Sequence, residues 1–263
     1  MAYRLAHVSD LHVGSGDDAA VEQLVEALVT CDAHRIALTG DVTHRGRRSE
    51  LDRFRTLFRP VADRLACVPG NHDRLGDDLD QDLMPGRRVH AIDDPGVRVV
   101  RFNSTGRHNR RWFDSHGLLT WHDVDVIERE LRAAPPGAAT VLLLHHHLLP
   151  LPGEDFLERL ATRLGWPNAA ELALGAQLVE RLRGICDLVL HGHRHIPAER
   201  VRWRSNPRPL RIVNGGSSTL LRGFKLFELD GARWSERWVD ASEPGDVAEW
   251  ATVPRYLSRP VAG

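Results

Sequence analysis

Short apolar runs of strand length recur along the chain, and most end in a polar cluster. They lie at residues 4–10 (RLAHVSD), 35–41 (RIALTGD), 65–71 (LACVPGN), 97–103 (VRVVRFN), 140–146 (TVLLLHH), 187–192 (DLVLHG) and 210–215 (LRIVNG). Each is rich in Leu or β-branched residues and bounded by turn formers, which predicts strands buried on both faces. Helical spacing falls between them. Val21, Leu24, Val25 and Leu28 share one face over 19–28, and Val124, Ile127 and Leu131 share one over 123–131. Strands alternating with helices predict a layered α/β domain. Residues 224–229 and 233–239 read as a hairpin turning at Asp230–Gly231.

No Pro/Gly/Ser-rich linker divides the chain, so one domain over 1–239 is expected, with residues 240–263 as an extended tail. Two insertions interrupt the alternation. The polar loop 104–116 (STGRHNRRWFDSH) reads as solvated with its Trp112 buried; the competing reading is an Arg- and Trp-bearing surface for a phosphate or a base. Residues 156–183 read as two helices broken around 165–168 (GWPN), a cap or surface addition rather than a second core.

Composition narrows the class. With 263 residues, 42% apolar and 27% charged, the chain is long enough to bury a full core without staples, which excludes disorder and rod-like assemblies. Cys31, Cys67 and Cys186 show no CxxC spacing, which excludes a thiolate zinc site and a disulfide framework. Net charge is −1, with one lysine (Lys225) among 35 basic residues, so no general attraction to nucleic acid is expected. The start is too short and too soon interrupted for a signal peptide and no apolar run nears 18 residues, so a cytoplasmic protein without membrane contact is expected. No feature of the sequence specifies an oligomer. Fifteen histidines are in marked excess, and their positions matter more than their number.

Histidines and carboxylates gather at strand ends. Asp10 and His12 follow the first strand as D-L-H, Gly40-Asp41 ends the second, and Gly70-Asn71-His72-Asp73 ends the third. His145-His146-His147 and Gly192-His193-Arg194-His195 end two later ones. Ligands bind beyond the carboxyl ends of strands in open α/β sheets, so five such ends predict one polar site. Carboxylate, imidazole and amide oxygen without thiolate suit Mn²⁺, Fe²⁺, Co²⁺ or Zn²⁺. The ligands exceed what one ion needs, and Asp41 can bridge two. Two ions about 3.5–4 Å apart can grip a phosphate ester and acidify a bridging water. Glycine beside Asp41, Asn71 and His193 lets the backbone approach them.

The ordered set D-x-H, G-D, G-N-H-D, H and G-H-x-H, spanning 10–195, resembles the calcineurin-like metallophosphoesterase superfamily, and within it the bacterial cyclic-nucleotide phosphodiesterases. The resemblance implies an α/β four-layer sandwich, two mixed sheets flanked by helices, with a dinuclear centre at one end. It implies one metal held by Asp10, His12, Asp41 and His195 and a second by Asp41, Asn71, His145 and His193. Manganese is the first expectation, with iron, zinc or cobalt as alternatives. It further implies attack of a metal-bridging hydroxide on phosphorus, with His72 as general acid. One motif departs from the common H-H-P: here His145-His146-His147 leaves the ligand ambiguous by one residue. His145 is preferred because it directly ends the apolar run 141–144.

The expected activity is hydrolysis of a phosphodiester: a cyclic nucleotide, a small diester or nucleic acid. The alternatives are a nuclease on single-stranded or nicked DNA, supported by Arg110 and Arg111, a phosphomonoesterase, and a metal-bound scaffold without catalysis. Asn103, His146, Arg110 and Arg111 are candidate substrate contacts. His147 and His191 are expected to pack or support ligands, and Arg194 to serve the loop.

Overall fold

The structure, a computed structural model, describes residues 2–150, 172–231 and 233–242. Its strands form two mixed sheets. The first runs β11 (Arg233–Asp240), β10 (Gly223–Asp230), β1 (Tyr3–Val8), β2 (Arg35–Thr39), β3 (Leu65–Val68). The second runs β4 (Val89–Asp94), β5 (Val97–Phe102), β6 (Ala139–Leu143), β7 (Leu188–His191), β9 (Leu210–Asn214), β8 (Ala198–Arg202). Strands β1, β2 and β3 are parallel, as are β5, β6, β7 and β9, while the outer strands β10, β11, β4 and β8 run antiparallel to their neighbours.

Strand alternation divides the apolar residues among three cores. Leu5, Ala37, Val68, Val99, Val141, Leu143, Leu190 and Phe227 meet between the sheets. Val8, Ile36 and Leu38 turn outward against α1 (Asp18–Thr30) and α2 (Arg48–Leu57), whose Leu24, Leu28, Leu51 and Phe54 cover them. Val100, Phe102, Leu142 and Val189 face α4 (Trp121–Arg132) and α5 (Gly175–Arg181) on the other side; α3 (Asp80–Leu83) is a single turn. The order helix, sheet, sheet, helix is the expected four-layer sandwich. Sheets covered on both faces explain why the central strands read as unbroken apolar runs. At one edge a charged clasp joins the sheets: Lys225 and Glu236 of the first lie 2.9 Å apart, Arg211 and Glu199 of the second 2.8 Å, and Arg211 also reaches Glu236.

Several expectations are corrected in detail. Strands β4 and β8 and helix α2 correspond to no apolar run or stripe named above. The second part of the 156–183 insertion, α5, is no surface addition: Leu178, Val179 and Leu182 are buried in the flanking layer. The first part lies outside the described residues, as does the expected tail beyond Ser242, while Asp240 closes β11. The loop 104–116 does not bury its tryptophan, because Trp112 is 56% exposed.

Candidate metal centre

The motif residues converge where the parallel strands of both sheets end. The loops after β1 and β2 run side by side, with Asp10 N–H donating to Gly40 O and His12 N–H to Asp41 O. The sheets are tied across by His145 Nδ1, which donates to Thr39 O at 2.8 Å, while Gly192 N–H donates to His145 O and joins the loops after β6 and β7. Chain paths this tight need two unusual backbone features. Asp10, His12, Asp41, His193 and His195 all adopt positive φ, between 48° and 75°, a conformation that costs an L-residue free energy and persists only where its surroundings impose it. Gly70 and Gly192 serve by lacking a side chain: a Cβ on Gly70 would strike the Asp41 carboxylate and backbone nitrogen, and one on Gly192 the Asp10 carboxylate and Ser9 Oγ.

Two clusters share Asp41. In the first, ligand atoms of Asp10, His12, Asp41 and His195 lie within 4.8 Å of one another. His12 Nε2 and His195 Nε2 face each other at 3.0 Å, His195 Nε2 is 3.4 Å from Asp10 Oδ1, and His12 Nε2 is 3.7 Å from Asp41 Oδ2. In the second, His145 Nε2 and His193 Nδ1 each lie 3.0 Å from Asn71 Oδ1, and His145 Nε2 is 3.5 Å from Asp41 Oδ1. The two oxygens of Asp41 therefore face different imidazoles. Because Nδ1 of His145 is the donor to Thr39 O, the neutral ring aims its Nε2 lone pair at the Asn71 carbonyl oxygen. Two lone pairs pointing at one spot in a buried site suit a cation between them, so the residues fit divalent metal ions.

The electrostatics keep the imidazoles ready for metal. Burial pulls His12 down to about 4 and, with neighbouring imidazoles, His193 well below its ordinary value. Neutral imidazole is the ligating form. His195 is raised instead, by its hydrogen bond to Asp10. Burial alone would raise the Asp41 carboxyl, but His145, His72, His12 and the N–H of His72 outweigh it and hold the group below the usual carboxylate range. Asp73 goes the other way, up to about 6, through burial and the charge of Asp41. Its oxygens accept N–H bonds from Val42, Thr43 and Gly70, joining the loops after β2 and β3.

The centre opens into a cleft of about 400 Å³ lined by Asp41, Asn71, His72, Trp112, Ser115, His193, Arg194, His195 and Ile196. His72 Nδ1 donates to His44 O at 2.8 Å, which leaves Nε2 as its free ring nitrogen. Ligand atoms of His145, His146 and His193 lie within 4.8 Å of one another, and the three consecutive histidines differ in their partners. His146 is buried between Ser104 Oγ and Ser115 O and holds the loop, while His147 packs against the His193 ring. His191 is buried on β7. Asn103 accepts from Thr105 in its own turn, Arg110 lies 3.6 Å from Asp78, and Arg111 is exposed. Asn103, His146, Arg110 and Arg111 are not among the residues that line the cleft. Trp112, Ser115 and Ile196, which do line it, carried no motif; only Trp112, as an aromatic in a polar loop, left a signal.

Layered sheets with carboxylates and imidazoles at their shared end define a metal-dependent phosphoesterase. The chain belongs to the calcineurin-like phosphoesterases, whose sequence model matches residues 3–197. It is 26% identical over 246 residues to a probable cyclic nucleotide phosphodiesterase of Psychrobacter arcticus, covering 89% of this chain and 81% of the relative. Its fold is similar to that of a dimetal phosphatase from Danio rerio (TM-score 0.65, 11% identity, 91% of this chain and 96% of the other). It is equally similar to a purple acid phosphatase from yellow lupin seeds (TM-score 0.65, 15% identity, 93% and 52%). The protein is thus a phosphoric ester hydrolase with a His/Asp cluster able to bind metal. No helix among the described residues is long and apolar enough to cross a membrane.

Proposed function

We propose that the protein is a dinuclear phosphodiesterase, with one metal held by Asp10, His12, Asp41 and His195 and the other by Asp41, Asn71, His145 and His193. The observation that carries this reading is Asp41, whose two carboxylate oxygens face the two imidazole sets. Bound there, divalent ions, manganese first and iron, zinc or cobalt next, supply positive charge for the phosphate oxygens and acidify the attacking water. The chain does the rest. Asp10 is held by the N–H of His193 and the hydroxyl of Ser9, and Asp41 by the N–H of His72, so neither carboxylate swings when substrate arrives. With Nδ1 tied to His44 O, a charged His72 has one proton to give, on Nε2, and gives it to the departing alcohol oxygen.

The relative named a cyclic nucleotide phosphodiesterase supports a diester over a monoester. Arg110, paired with Asp78 and outside the cleft lining, gives the nuclease alternative no support. Three buried, unbonded cysteines suit a reducing compartment, and we place the protein in the cytoplasm. The test is hydrolysis of bis-p-nitrophenyl phosphate after chelator treatment and re-addition of Mn²⁺. Activity should return with metal and be lost in Asp41→Asn together with bound metal. No turnover with Mn²⁺, Fe²⁺, Zn²⁺ or Co²⁺ overturns the proposal.

A further inference from the structure

We infer that Trp112 is the platform on which a nucleobase of the substrate stacks, so that the ester cleaved carries a nucleoside; this rests on the phosphodiesterase reading above. Trp112 is 56% exposed, lines the metal cleft, and meets the His72 ring edge-on, with centroids 5.3 Å apart at 70°. A tryptophan usually buries most of its large apolar surface, and this one leaves it to solvent beside the proposed proton donor. Looseness of the loop does not explain the exposure. His108 and His116 stack at 4.0 Å and 6°, and the N–H groups of His108 Nε2 and Asn109 Nδ2 both bond His116 O. Asn109 Oδ1 accepts from Gly106 N–H, and His146 Nε2 donates to Ser115 O. The residues on both sides of Trp112 are pinned, so the indole is held out over the cleft by built structure.

The cleft has a second exposed apolar side chain, Ile196 at 54%, directly after His195. The His12 ring lies 4.6 Å from His72 and 5.0 Å from His195, and Trp112 and Ile196 line the same cleft as His72 and His195. A group protonated by His72 leaves alongside the indole. Glycerol has no flat apolar face to offer it, whereas any nucleobase does. Base–aromatic stacking corresponds to about 5- to 150-fold in affinity. A single nucleotide fits better than a polynucleotide, since Arg110 in the same loop is already paired with Asp78 and the net charge is −1.

The test compares ligands with and without a base on the full-length, Mn²⁺-loaded protein. Calorimetry should give AMP at least tenfold tighter than glycerol 3-phosphate in the wild type. That ratio should fall at least fivefold in Trp112→Ala and be largely kept in Trp112→Phe. The kcat/KM ratio of 3′,5′-cyclic AMP to glycerophosphoethanolamine should move the same way, and a single-stranded oligonucleotide should be cleaved less efficiently than cyclic AMP. An AMP advantage absent in the wild type, or unchanged in Trp112→Ala, overturns the inference, and so does a preference for the oligonucleotide. A wild type inert toward every diester defeats the phosphodiesterase reading instead, because the AMP arm still reads the base contact.

Discussion

At the scale of single residues the site is built from side chains held by specific partners. His72 has its Nδ1 committed to a backbone carbonyl and its ring edge against Trp112. Replacing it with alanine should retain bound Mn²⁺, read by elemental analysis, while turnover of a small diester drops about 100- to 1,000-fold. Loss of metal in that variant would assign His72 to the ligand set instead. Gly70 is a test of packing rather than chemistry. Gly70→Ala forces a Cβ into Asp41, so metal content should fall even though no ligand is altered and circular dichroism shows a folded chain. Both motif residues were legible in the sequence. Ile196 was not, and Trp112 only as an aromatic in a polar loop, because an exposed side chain obeys no periodicity and acquires meaning from what it stands beside.

At the scale of elements, legibility followed burial. Strands β1, β2, β3, β5, β6, β7 and β9 are covered on both faces and announce themselves as apolar runs. Strand β8 is half-buried throughout with one valine, and β4 alternates weakly at the edge beside β5. Helix α2 buries only Glu50, Leu51 and Phe54, too few to register a stripe. The apolar stripe of helix α4 marks residues 123–131, but the helix starts at Trp121. The true N-terminus is set by a capping box: Thr120 Oγ1 accepts from Asp123 N–H at 3.2 Å, and Asp123 accepts from the N–H and hydroxyl of Thr120. Thr120→Ala should lower stability by about 1 kcal/mol in urea titration and leave diester hydrolysis intact. A change below about 0.3 kcal/mol would mean that packing of Val124, Ile127 and Leu131 alone holds the helix.

At the scale of the whole molecule the buried histidines tie stability to pH. Burial draws His12 and His191 down to about 4 and His147 to about 3, against an ordinary value of 6.5. The folded chain therefore binds these protons more weakly than the unfolded chain. Their contribution is fully present above pH 6.5 and is lost as pH falls through about 4. His195, raised by its hydrogen bond to Asp10, and Asp73, raised to about 6 by burial and the charge of Asp41, oppose this with contributions of reverse sign that are lost as pH rises. Metal-free protein should accordingly unfold at lower urea at pH 5 than at pH 7.5, and Mn²⁺ should restore part of the difference, since it binds only the neutral rings. Equal midpoints at the two pH values would contradict the burial of this histidine cluster.

The sequence by itself determined the layered α/β class and the identity of the chemistry. Runs buried on both faces must be apolar throughout, and five ordered motifs of carboxylate, imidazole and amide are specific in their order. Three matters were decided only in the tertiary structure. The tie that fixes the ring of His145, donation of its Nδ1 to Thr39 O, depended on a contact 106 positions away. The sharing of Asp41 between two clusters depended on the two sheets ending at one place. The mouth of the cleft depended on a loop pinned at both ends with its indole left outside. Each is a relation between distant residues at ångström range, and local pattern carries no information about such distances until the chain is packed.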